Sequence, residues 1–168
     1  GIEFPGKTLG VRAIVADATV IEWRGRVRIM ESASVDGPIS LGLLAPTILL
    51  PVTDRLGLDA HEREIAIAHE MAHLRRGDLW ANALAVLVSA LHWFNPLSRH
   101  AWRAYRFDQE AACDAFVLGG AHSPSRGSYA RALAKTASGH PSAFASPMLG
   151  GERLKERLTM LIDPMPSP

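Results

Sequence analysis

Apolar and polar positions change rhythm near residue 59. Before that point the pattern is mixed. "VRAIVADATVIEW" (residues 11–23) reads as a short helix, whereas "RVRIME" (26–31) alternates apolar and polar like a strand. "DGPISLGLLAPTILLP" (36–51) has turn formers at both ends and Pro46 in its middle. It predicts two short strands, one at a sheet edge, because proline cannot donate to a ladder.

From Asp59 onward the period is helical. Asp59 and Glu62 have capping-box spacing, so a helix should start there, pass through His73 and stop at Gly77. Asp78 can cap the apolar run 79–94. Asn95 and Pro96 open a third helix, which should end at Gly119 and Gly120. "SPSRGSYARALAKTAS" predicts a fourth helix, and "GERLKERLTMLID" a fifth stopped by Pro164. The expected class is α+β, a small sheet with an edge strand followed by a mostly helical body, in a single domain spanning residues 1–168. Residues 1–8, which begin "GIEF", read as a tag or linker.

Composition narrows the function. With 48% hydrophobic and 21% charged residues the chain is neither disordered nor a bare membrane bundle. A net charge of +1 gives no footprint for nucleic acid. Arginines group at Arg24, Arg26 and Arg28, at Arg75 and Arg76, and at Arg99, Arg103 and Arg106. They read as solvated faces and ion pairs, or as a surface beside a bilayer. Cys113 is the single cysteine, so no disulfide forms within the chain, which suits a reducing compartment. No signal peptide is expected. The run 79–94 is shorter than the ~20 residues of a spanning helix and carries Asn82, Ser89 and His92, so a buried or interfacial helix is expected.

The chemistry concentrates in "EIAIAHEMAHLRRGD" (64–78). On a helix His69 and His73, four apart, direct their rings to one side and can share one metal ion. Glu70 projects roughly a hundred degrees around from His69, beside the metal, where it can take a proton from water. Catalytic zinc generally needs a third protein ligand. "RFDQEAACDAF" offers Glu110 and Asp114, four apart on one face of the third helix, with Asp114 among apolar neighbours. A carboxylate there needs a specific partner. Glu110 as ligand, with Asp114 holding the far nitrogen of His69, satisfies both. Asp108 lies on another face. The pattern with a glycine and a third histidine just downstream is excluded, since Arg76 and Leu79 occupy those positions.

"HEMAH" followed by "DQEAACD" resembles the gluzincin metallopeptidases. With "GPISLGLLAPTILLP", "IAHEMAHLRRGD" and "HWFNPLSRHAWRAYRFDQEAACDAFVL", residues 25–163 resemble the cytoplasmic metallopeptidase domain of the BlaR/MecR family of membrane-bound β-lactam sensors. The resemblance implies a zincin-like fold with one zinc on His69, His73 and Glu110, Glu70 as general base, and Asp114 supporting a ligand. It also implies an edge strand within 38–50 that pairs with an extended protein or peptide substrate. By the same resemblance the whole protein sits at the cytoplasmic face of the bacterial inner membrane, held by helices outside this sequence, and cleaves a repressor-like protein or itself.

Peptide hydrolysis also needs a donor for the developing oxyanion. Tyr129 and Arg131 are the favoured candidates by helix context, ahead of His122 and His140. Cys113 reads as a small core residue, and His61, His92 and His100 as structural or exposed. A second reading is a catalytically silent or latent zinc-stabilised module that relays a transmembrane signal. The presence of Glu70 favours the enzyme, because a purely structural site has no use for a base.

Overall fold

Strand β4 (Thr47–Pro51) is buried at every position, because it runs between two neighbours with both faces covered. This computed structural model describes residues 17–52, 55–121, 123–138 and 147–162. Residues 1–8, His122 and His140 fall outside them. The sheet order is β1-β2-β4-β3, with β1 spanning Thr19–Arg24, β2 Val27–Ser32 and β3 Ile39–Leu41. β1–β2 and β3–β4 are antiparallel, and β2–β4 is parallel. β3 therefore lies at an edge, as the proline argument predicts, and the central β4 begins directly after Pro46.

β1 corrects one expectation. "TVIEWR" is a strand rather than part of a short helix. Its β-branched start suits a pleated surface, and pairing with β2 decides the conformation.

Helices α1 (Ala60–Arg76), α2 (Asp78–Leu91), α3 (Pro96–Leu118), α4 (Arg126–Ser138) and α5 (Pro147–Ile162) follow. The α+β class stands. The capping box at Asp59 and Glu62 closes in both directions, with bonds of 2.8 and 3.0 Å. Gly77 ends α1 in the left-handed region at φ 74°, donating its N–H to the carbonyls of His73 and Leu74. Asn95 caps α3 through the Leu97 N–H, and Ser125 caps α4 through the Ser128 N–H. α5 starts four residues before the "GER" expected to open it.

Alternation along β2 and β4 sends Val27, Ile29, Ile48 and Leu50 to one face, where Ile67, Met71 and Leu74 of α1 cover them. Met30 and Leu49 pack on the other face with Val35. The opposite side of α1 presents Ile65 and Ala72 to a helical core with Cys113, Val117, Tyr129, Leu133 and Leu161. α1 is thus wedged between sheet and helices, which leaves little freedom to the side chains it carries. Of the two alternatives for α2, buried or interfacial, the structure removes the first: of its residues only Asp78 is buried. Among the described residues no helix is long and apolar enough to cross a membrane.

Candidate metal centre

His69 and His73 continue the Ile65–Ala72 stripe of α1 and stack edge to face, with ring centroids 4.8 Å apart. Glu110 reaches them from α3. Its Oε2 is 3.4 Å from His69 Nε2 and its Oε1 is 3.7 Å from His73 Nε2. The spacing that suggested shared chemistry thus brings these three side chains to one point.

The far nitrogens fix the proton positions. His73 Nδ1 lies 2.7 Å from Asp78 Oδ2. A carboxylate only accepts, so Nδ1 carries a proton, and in the neutral ring Nε2 keeps its lone pair. His69 Nδ1 lies 2.7 Å from the Tyr129 hydroxyl, whose own proton goes to Asp114 Oδ1 at 2.6 Å. The tyrosine oxygen therefore accepts from His69 Nδ1, so in the neutral ring Nε2 is again the atom with a lone pair. The two Nε2 atoms, 3.4 and 3.7 Å from the Glu110 carboxylate, form a donor set of the kind a metal ion takes once both rings are neutral. The residues fit a metal ion, which His69 Nε2, His73 Nε2 and Glu110 would hold.

Four placements differ from the sequence expectations. Asp78 is the first residue of α2 and makes no capping bond, because its carboxylate is taken by His73 and, at 3.3 Å, by Arg76 Nε. Asp114 holds His69 through Tyr129, its own oxygen standing 3.4 Å from Nδ1. Tyr129 is only 1% exposed, behind the histidine, so it faces no substrate and is misplaced for an oxyanion donor. Arg131, two residues on, turns outward to the Ser128 hydroxyl and does not reach the centre.

Two participants escaped sequence reasoning. Arg157 of α5 donates to both oxygens of Asp114 at 2.7 and 2.8 Å, and its Nη1 stands 3.2 Å from Glu110 Oε2. The signal was present: Arg157 interrupts the stripe Leu154, Leu158, Leu161 that packs on the helical core. Ser40 of β3 donates to Glu70 Oε2 at 2.5 Å and to the Glu70 carbonyl at 3.0 Å. Glu70 is thereby fixed between the histidine pair and the edge strand.

The electrostatics follow from this crowding. Burial pushes the Glu110 carboxyl up, but His69, Arg157 and His73 outweigh it and hold the carboxyl well below the usual range. Burial pushes both imidazoles down, yet the Cys113 thiol and Glu110 carry His69 well above its ordinary value and His73 to about 9. Cys113 is wholly buried in the helical core, as read from sequence, with Sγ donating to the His69 carbonyl at 3.3 Å. Its sulfur and one nitrogen of each histidine also lie within 4.8 Å of one another. Glu110 is the better third donor, because both its oxygens face the two Nε2 atoms, while the thiol is committed to the backbone. Beside the centre an open groove of about 490 Å³ runs between β3 (Ser40, Leu41) and α2 (Leu79, Asn82, Ala83, Val86).

The BlaR1 peptidase M56 family profile matches residues 11–161. The chain belongs to the BlaR1 peptidase M56 family. It is 31% identical over 98 residues to the regulatory protein BlaR1 of Bacillus licheniformis, covering 58% of this chain and 16% of that protein. It is 29% identical over 167 residues to the methicillin resistance mecR1 protein of Staphylococcus aureus, covering 95% of this chain and 28% of that protein. The mecR1 protein of Staphylococcus epidermidis matches to the same extent. The chain spans less than a third of the length of these relatives. Within this M56 family, the match takes in every residue of the centre, from Ser40 to Arg157.

Proposed function

We propose that this chain is a zinc-dependent endopeptidase domain of the gluzincin type, part of a membrane-bound sensor–transducer, and that it cleaves a protein or peptide substrate. The observation that carries this reading is the convergence of His69 Nε2, His73 Nε2 and Glu110, with Glu70 on the adjoining face of the same helix. Zinc bound there would polarise the scissile carbonyl and acidify a water molecule. Glu70 accepts the water's proton and returns it to the leaving amine. Ser40 donates to Oε2 and so steadies the carboxylate beside the histidine pair. β3 pairs with β4 on one side only, and its other edge borders the groove, where an extended peptide adds as a further strand.

Glu70→Gln is the direct test. It keeps size and helix propensity but removes the base, and should lower peptide cleavage by the zinc-loaded protein on the order of 10²–10⁴-fold. Retained cleavage rejects the assignment. The Ser40 bond to Glu70 favours a latent form of the same site, in which the base is clamped until the edge strand moves. Under that reading Ser40→Ala raises cleavage, whereas a free-standing base predicts no gain.

A further inference from the structure

The hairpin of α2 and α3 leaves a strongly apolar sequence in water. Residues 79–98 contain no Asp, Glu, Lys or Arg. At the tip Trp93 is 79% exposed, Phe94 70% and Leu97 68%. Behind the tip Trp80, Leu84 and Leu87 are also more than half exposed. Monomers rarely keep such a patch uncovered.

The chemistry of the patch selects its partner. Exposure covers most of the circumference of α2 and its tip, sparing only the side of Asp78, Leu79, Asn82, Ala85 and Ser89, which suits immersion in a fluid medium better than a flat protein interface. Tryptophan and phenylalanine at the tip are the residue types of a bilayer boundary, and Arg99 and Arg103, both exposed and one helical turn apart, follow immediately. α2 has 14 residues, a rise of about 21 Å, too short to cross the ~30 Å hydrocarbon core.

We propose that the tip of this hairpin, residues 91–97, inserts into the boundary between headgroups and acyl chains of an anionic bilayer, with Arg99 and Arg103 against the lipid phosphates. The docking needs neither zinc nor substrate, so it stands or falls apart from the peptidase reading.

The test is co-sedimentation of the 168-residue chain with phosphatidylcholine vesicles, with and without phosphatidylglycerol, alongside tryptophan quenching by brominated lipid. Binding that rises with phosphatidylglycerol, with quenching that disappears in Trp93→Gln, is expected. The double variant Trp93→Gln, Phe94→Gln should bind about tenfold more weakly or worse. Arg99→Gln should lose about fivefold on anionic vesicles and nothing on neutral ones. These side chains are exposed, so circular dichroism and zinc content of the variants should match the parent. No vesicle binding, or equal binding by the double variant, overturns the proposal. So does self-association that the double variant abolishes without any vesicle binding, which would assign the face to a second copy. Vesicle binding by a protein that takes up no zinc would sink the peptidase reading alone.

Discussion

His73 and Asp78 form a 2.7 Å bond across the break between two helices, made possible by a single left-handed glycine. Gly77 stops α1 and turns the chain so sharply that the first residue of α2 folds back onto the histidine. Asp78→Ala should therefore weaken zinc binding about 10- to 100-fold, because the ligand loses the group that sets its tautomer and angle. Competition with a chromophoric chelator measures this. An unchanged affinity would mean that Asp78 is only a helix-terminal charge.

Tyr129→Phe separates positioning from catalysis. The ring keeps its packing while the link from Asp114 to His69 is lost, so zinc affinity should fall about 10- to 100-fold. At saturating zinc most of the cleavage rate should return. A rate that stays low with full zinc occupancy would restore the oxyanion role rejected above. Arg131→Ala should change neither quantity.

Arg157→Met strands the Asp114 charge at a site that is 4% exposed. Breaking a buried pair in this way costs about 3–5 kcal/mol, readable as a shift in urea unfolding. Adding Asp114→Leu should recover much of the loss, since the orphaned charge goes too. Failure to recover would point to lost packing around the guanidinium stem.

Acid unfolding tests the start of α1. The hydrogen bond from Lys135, then the Asp59 N–H, hold the Glu62 carboxyl below its ordinary value of 4.5 against burial. A lowered folded value means stability that is complete above 4.5 and lost as pH falls through the folded value. Lys135→Met removes the largest cause, so the acid-unfolding midpoint should move to higher pH. An unmoved midpoint would detach this pair from acid stability.

Gly42 joins β3 to β4 at φ 87°, and a Cβ there would stand 2.2 Å from the Ala45 carbonyl oxygen. Gly42→Ala should cost about 1–3 kcal/mol in thermal or denaturant unfolding and disturb the groove wall beside Ser40. A neutral effect would show that the turn relaxes freely.

What the sequence made legible was local. The capping box, the Gly77 stop and the four-residue spacings of His69 with His73 and of Glu110 with Asp114 are all set within one or two helical turns. What stayed hidden depends on docking between distant elements. Tyr129 and Arg157 arrive on α4 and α5, and nothing near them in sequence marks His69 or Asp114 as partners. Asp78 has the sequence signature of a cap because cap chemistry and support of a histidine use the same carboxylate at a helix start. Sequence leaves open whether α2 is buried or interfacial, because apolar composition reports affinity for an apolar medium, not what supplies it.

The most direct test of the central claim is to map, by mass spectrometry, the cuts made by zinc-loaded protein in unstructured peptides, beside Glu70→Gln with its zinc content measured. The account predicts bound zinc in both proteins and cuts only in the parent. Cuts that persist in Glu70→Gln, or a parent that binds no zinc, would contradict it.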